Sequence, residues 1–190
     1  MTTNQLQKID NFVKKATQKL DSQHGYGHLI RVKKNALQIV DILKINSKID
    51  PNLLQAACFL HDIHFIKYKP SLKNWLTESK LLRQVLPSIV KQFNLNESDR
   101  YILSEAVYNH TFSFPTKRLN QKYSLYAQIV QDADTLDFLS EIRILDLKKN
   151  KNKFKFYRFL SLFSGLAKYG RKRIKNHLNL PEIIDYLNED

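Results

Sequence analysis

The apolar residues of this 190-residue chain recur at intervals of three and four rather than two, and only 4 glycines and 5 prolines interrupt them. That spacing lines one face of successive helices, so the pattern predicts an all-α chain. A first helix carries Leu6, Ile9, Phe12, Val13, Ala16 and Leu20, and a second carries Leu29, Val32, Ala36, Ile39, Val40 and Leu43. The stretch between them, Asp21 to Gly27, holds two glycines and delivers His28 at a helix start. Asp50 is a good N-cap, and Pro51 behind it suits the first helical position. They open a short apolar helix that ends in Leu60-His61-Asp62. A fourth helix runs through Trp75, Leu81, Leu82, Val85 and Leu86, with Pro87 as the place for a bend or break. A fifth starts at Asn96 and runs to His110, and residues 111–120 read as a loop. The sixth spans about Tyr123 to Leu147 and contains Asp132, Asp134 and Asp137. Phe154 to Lys168 and Pro181 to Leu187 supply the last two, giving seven or eight helices.

A hydrophobic fraction of 43% over this length can bury one sizeable core, so residues 1–190 read as a single domain. Its motif-bearing part covers about 21–147, and 148–190 form a basic, aromatic helical extension. Thirty-one Lys+Arg against 18 Asp+Glu give a net charge of +13, which favours anionic partners. Two basic runs, Lys148 to Arg158 and Arg171 to Lys175, offer phosphate contacts, with Phe154, Phe156 and Tyr157 for stacking. Helical spacing of Phe154, Phe159, Phe163 and Leu166 also fits a packed face, the commoner explanation of such a pattern. The lone Cys58, inside an apolar run, reads as a buried reduced thiol, which fits a cytoplasmic setting. No apolar stretch approaches the ~18 residues of a membrane span, and no targeting segment is visible.

Polar residues arrive where burial should be greatest. His61 and Asp62 end the most apolar helix, His28 begins another, and Asp132 and Asp134 lie on a third, so packed helices can bring His and carboxylate ligands to one ion. Alone, a histidine at the end of a core helix is equally what a hydrogen-bonded structural residue looks like. Asp132 and Asp134, two residues apart on a helix, point about 200° away from each other, so at most one faces an ion. Periodicity leaves the choice open. His24 precedes His28 by four residues, but Gly25 and Gly27 between them spoil the helical geometry a ligand pair needs.

The order His, His-Asp, Asp across three helices resembles the HD domain superfamily of metal-dependent phosphohydrolases. DSQHGYGHLIRV (Asp21 to Val32) looks like that family's opening motif, and ACFLHDI (Ala57 to Ile63) its name-giving pair. IVQDADTLD (Ile129 to Asp137) resembles its closing Ala-Asp-x-Leu word. Asn109-His-Thr-Phe-Ser113 resembles a His-Ser-Phe-Ser word of a small bacterial subfamily of nucleotide phosphohydrolases. The resemblance implies a compact HD-domain helical bundle and a divalent ion (Mn, Fe, Co, Ni, Zn or Mg) on His28, His61, Asp62 and Asp134. It implies Asp62, His64 and His110 as catalytic groups, the two imidazoles serving as proton carriers or second-metal ligands. Asp137 and Phe138 would line the pocket, and Arg31, Lys33 and Lys67 would bind the phosphates of an anionic substrate, a nucleotide above all. The alternative is an HD-fold module that binds nucleotide or nucleic acid without catalysis. This chain departs from related phosphohydrolases at His64 and Phe65, where they carry acids, at Thr135, and at Phe138 to Arg143 in place of a glycine-containing stretch.

Overall fold

The computed structural model describes residues 1–111, 124–162 and 174–184, all helix and connecting turns. Among the described residues nine α-helices follow in order: α1 (Thr3–Ala16), α2 (Tyr26–Ile42), α3 (Pro51–Leu60), α4 (Leu72–Leu76), α5 (Glu78–Val90), α6 (Glu97–Asn109), α7 (Leu125–Phe138), α8 (Glu141–Asn150) and α9 (Lys155–Leu162). The all-α expectation holds. Residues 112–123, Phe163, Leu166, Arg171 to Arg173 and the end of the expected last helix lie outside the described residues.

Helix α3 is the hub. Asp50 caps it, accepting from Asn52 N at 2.8 Å and Leu53 N at 3.1 Å, with Pro51 in the first turn. Leu53, Leu54, Phe59 and Leu60 are each at most 1% exposed, and burying side chains of this kind stabilises by roughly 1.5–3 kcal/mol apiece. Around α3 pack α1, α2, α6 and α7, and α2 lies alongside α7. This arrangement puts the C-terminal end of α3, where His61 and Asp62 stand, in the middle of the bundle.

Two expected helices are each divided. The fourth breaks at Thr77 into α4 and α5, and α5 then runs through Pro87 to Val90. A proline in the last turn removes one hydrogen bond without ending the helix. The sixth ends at Phe138, and α8 starts afresh because the Ser140 side chain accepts from Arg143 N at 3.2 Å as an N-cap. The cap directs Arg143 back toward α2. Pro181 to Ile183 form a 3₁₀ turn, and the rest of the expected last helix beyond Ile184 lies outside the described residues.

Helix α7 is covered nearly all round, with Ile129, Val130, Asp132, Ala133, Thr135 and Asp137 all buried. Asp132 serves the packing: its carboxylate accepts from Asn179 N at 2.7 Å, Asn179 Nδ2 at 2.9 Å and Leu180 N at 2.8 Å, fixing the 174–184 segment onto α7. We expect Asp132→Asn to lower the unfolding free energy by about 2 kcal/mol in urea titrations, through loss of charge-assisted hydrogen bonds, while metal content stays unchanged. A loss of metal without a loss of stability would contradict this division of labour between Asp132 and Asp134.

Candidate metal centre

Helix α2 opens two residues before His28, and its start is set by backbone crowding. A Cβ on Gly25, the N-cap, would stand 2.7 Å from Asp21 O, so only glycine lets the 21–24 turn close against the helix. His28 in the first turn of α2, His61 and Asp62 just past α3, and Asp134 in the middle of α7 then converge. His28 Nε2 lies 3.1 Å from His61 Nε2, 3.3 Å from Asp62 Oδ2 and 3.5 Å from Asp134 Oδ1. His61 Nε2 lies 3.6 Å from Asp62 Oδ2 and 3.8 Å from Asp134 Oδ1. Two ligand atoms about 2.1 Å from one ion and 90–110° apart are separated by about 3.0–3.4 Å, so this set needs only a slight contraction to share a cation.

The opposite ring nitrogens strengthen the case. His61 Nδ1 donates to Cys58 O at 2.8 Å, and His28 Nδ1 donates to Asp137 Oδ2 at 2.7 Å. The two Nε2 atoms therefore face each other across 3.1 Å, close enough to share one proton or one cation. Such an arrangement repels itself without a cation or a proton between the rings. Burial pushes His61 down to about 4, against the raising effect of the Asp62 and Asp134 charges, which leaves it a neutral ligand at ordinary pH. His28 runs the other way: burial and Arg143 depress it, but the Asp137 and Asp62 carboxylates outweigh them and raise it. Burial would lift the Asp62 carboxyl, yet the imidazoles of His61 and His28 hold it well below its ordinary value.

Beneath His28, Asp137 is 1% exposed, and its carboxylate takes Arg31 Nε at 2.5 Å and Arg143 Nη1 at 2.8 Å besides the imidazole. Arg143 Nη1 also lies against His28 Nδ1, and Arg143 Nε donates to Gln23 Oε1 at 2.8 Å. Arg31 is a quarter exposed and bound to Asp137; Lys33 Nζ sits over the Phe59 ring at 5.3 Å and Lys67 Nζ over Tyr68 at 5.6 Å. Phe138 packs, half-buried, with Leu139 and Ile144. His24 stacks on Phe65 and bonds to Tyr157 Oη at 2.7 Å, outside the ligand cluster.

Beyond Asp62 stand His110, His64 and Glu78. The His110 ring meets the His61 ring edge-on at 5.0 Å, its Nδ1 donates to Val107 O at 2.6 Å, and its Nε2 faces Glu78 Oε1 at 3.7 Å. Burial lowers His110, but the Glu78 carboxylate more than reverses this and lifts it to about 9. His64 is fully buried, and neither ring nitrogen has a hydrogen-bond partner among the described residues.

The HD domain family model matches residues 25–139. The chain belongs to the HD domain family. In fold this HD-domain protein is similar to a protein from Lactobacillus plantarum, at 26% identity and a TM-score of 0.59 over 78% of this chain. The match spans 62% of that protein's length. It is also similar to a predicted HD superfamily hydrolase from an uncultured Thermotogales bacterium, at 22% identity and a TM-score of 0.54, with 90% of this chain and 91% of the other covered. No curated protein matches the chain in sequence. HD domains bind divalent metals, and here the buried His28 and His61 with the half-buried Asp134 form one group able to hold an ion. No helix among the described residues is long and apolar enough to cross a membrane.

Sequence reasoning missed Glu78, Gln23 and Arg143. An acid in the first turn of an amphipathic helix is ordinary dipole compensation, so Glu78 carried no signal. Arg143 was readable only through the Ser140 cap that turns it inward.

Two outcomes follow from these contacts. In the metal-free protein His110 keeps its proton up to about pH 9 against 6.5 when unfolded, so the folded state binds more protons across that window and stability falls as pH rises through it. His61 stays neutral down to about 4, so between about 4 and 6.5 the unfolded chain binds more protons and stability rises with pH. Urea midpoints of chelator-treated protein should therefore peak near pH 6.5; a midpoint climbing steadily to pH 9 would contradict the His110 pairing with Glu78. Second, Asp137→Asn should weaken Mn²⁺ binding in calorimetric titration roughly 10–100-fold, because the group that orients a ligating imidazole is lost. Unchanged affinity would mean that Asp137 does not support His28.

Proposed function

We propose that this chain is a metal-dependent phosphohydrolase acting on a phosphate ester or anhydride, with a nucleotide as the favoured substrate. The observation that carries the reading is the convergence of the His28 and His61 Nε2 atoms at 3.1 Å with two carboxylates beside them. His28, His61, Asp62 and Asp134 would hold the divalent ion, and a mixed imidazole and carboxylate set accepts Mn, Fe, Co, Ni, Zn or Mg according to availability. When bound, such an ion supplies Lewis acidity, lowering the pKa of water and polarising a phosphoryl oxygen.

The chain's own residues do the rest. Asp137 fixes the His28 tautomer, and Arg31 and Arg143 keep Asp137 ionised, its carboxyl held well below the ordinary value by the imidazole and both guanidinium groups against burial. Asp137 thus acts through His28 rather than on substrate. Asp62, with a carboxylate oxygen 3.3 Å from His28 Nε2, is placed to orient the attacking water by accepting its hydrogen bond. His110, kept protonated by Glu78, and His64, kept neutral by burial, line the far side of Asp62 and can move a proton there. The net charge of +13, with Arg31, Lys33 and Lys67 near the helix ends that carry the site, favours a phosphate-bearing substrate.

The nucleic-acid module reading loses part of its basis in α9. Tyr157, one of its stacking candidates, is 1% exposed and bonded to Asp21 Oδ2 at 3.0 Å and to His24, so it belongs to the packing. Lys148, Lys149, Lys151, Lys153 and Lys155 remain exposed.

Phosphate or pyrophosphate release from a panel of nucleotides, run with Mn, Co, Ni and Mg in turn, tests the proposal. Turnover with at least one metal is expected, and Asp62→Ala and Asp134→Ala should each reduce it to the buffer rate. Protein that holds metal, releases nothing from any nucleotide and binds nucleic acid with a steep salt dependence would overturn it in favour of the binding module.

A further inference from the structure

Exposed apolar side chains are gathered on this chain rather than scattered. Of the six large ones that stand in solvent among the described residues, three lie between residues 66 and 76: Ile66 at 38%, Leu72 at 48% and Leu76 at 51% exposed. Leu72 and Leu76 are one turn apart on α4, so they share a face. Trp75, the chain's one tryptophan, is half-buried beside them, and its ring lies 6.4 Å from that of Phe156 on α9. That contact sets the start of α9 against α4. Single apolar residues on a surface are ordinary, whereas a cluster rimmed by polar groups marks an interaction site.

The charge around the cluster has one sign. Residues 66–76 carry Lys67, Lys69 and Lys73 and no acid, and residues 148–158 carry six cations and no acid. Lys69, Lys73, Lys153 and Lys155 are exposed and enter no ion pair among the described residues. The acids that flank the 66–76 stretch, Asp62 and Glu78, are each 8% exposed and are turned inward on His28 and His110. The face therefore presents apolar side chains inside a field of uncompensated positive charge.

Cations alone suit nucleic acid as well as lipid, and the leucines decide between them. Leucine gains little against a hydrated phosphate backbone, but the boundary between lipid headgroups and acyl chains takes leucine and tryptophan while lysines meet the lipid phosphates. We propose that α4, the turn before it and the start of α9 form a docking face for an anionic lipid surface. Leu72, Leu76 and Trp75 enter the boundary, and Lys69, Lys73, Lys153 and Lys155 rest on the phosphates. The chain then sits on a bilayer without crossing it.

Trp75 stands inside the face, so its fluorescence reports docking at this place. The full chain is mixed with vesicles of phosphatidylcholine alone, or of phosphatidylcholine with an equal part of phosphatidylglycerol. Binding is followed by sedimentation, Trp75 emission and quenching by brominated acyl chains. The mixed vesicles should carry the chain down, shift Trp75 to the blue and quench it, and added salt should weaken all three effects. Phosphatidylcholine alone should do none of these. A basic residue near an anionic surface multiplies affinity about fivefold, so Lys69→Glu with Lys73→Glu should weaken binding at least about 25-fold. Leu72→Ser with Leu76→Ser should leave a salt-sensitive attachment and abolish the Trp75 shift. Far-UV circular dichroism checks that both pairs fold, and should one fail, the other decides. No sedimentation with the mixed vesicles, equal binding to both kinds, or sedimentation without a change at Trp75 overturns the proposal. So does a Trp75 shift brought about by an RNA or DNA duplex and not by vesicles, which would make the face a nucleic-acid site.

Discussion

Two imidazole nitrogens that face each other at 3.1 Å inside an apolar bundle need a proton or a cation between them. His28 and His61 are locked into this arrangement because each has its other nitrogen committed, one to Asp137 and one to the Cys58 carbonyl. Neither ring can turn away without stranding a buried donor. Asp62 and Asp134 sit at the same point, and a buried and a half-buried carboxylate side by side there would be costly without a compensating cation. The centre is thus a polar knot that the surrounding apolar packing holds in a shape suited to an ion.

The fold can be understood as the means of holding that shape. Helix α3 buries seven of its ten residues so that its last residues emerge at the centre; α2 begins where Gly25 lets the turn close, which sets the height of His28; α7 lies against α2 and brings Asp134 to the same level. The restart of the chain at Ser140 has a chemical result, since it returns Arg143 to Asp137 and ties α8 to the imidazole that Asp137 orients. Helix packing and ligand orientation are therefore coupled through one buried carboxylate.

Much of this was legible in the residues. The three-and-four spacing of apolar side chains led to an all-helical bundle, and the capping signals at Asp50-Pro51 and Asn96 found the starts of α3 and α6. The choice between Asp132 and Asp134 was beyond periodicity for a reason the structure supplies: α7 is buried on nearly every side, so no polar face exists to orient it. Only the resemblance to the HD closing motif separated them, and Asp132 instead receives Asn179 and Leu180, partners 47 and 48 residues away that local spacing cannot reveal. The breaks at Thr77 and Ser140 were hidden by apolar stripes that continue across them. Glu78 was hidden because its partners His64 and His110 come from other elements, and an acid at a helix start has an ordinary explanation.

The claim on which everything else rests is that one ion is shared by His28, His61, Asp62 and Asp134. Anomalous diffraction at the manganese edge, from crystals of the full chain grown with Mn²⁺, measures this directly. The account predicts a peak about 2.0–2.3 Å from His28 Nε2, His61 Nε2 and a carboxylate oxygen each of Asp62 and Asp134. A peak bonded to other residues, or the two imidazoles turned apart with no density between them, would contradict it.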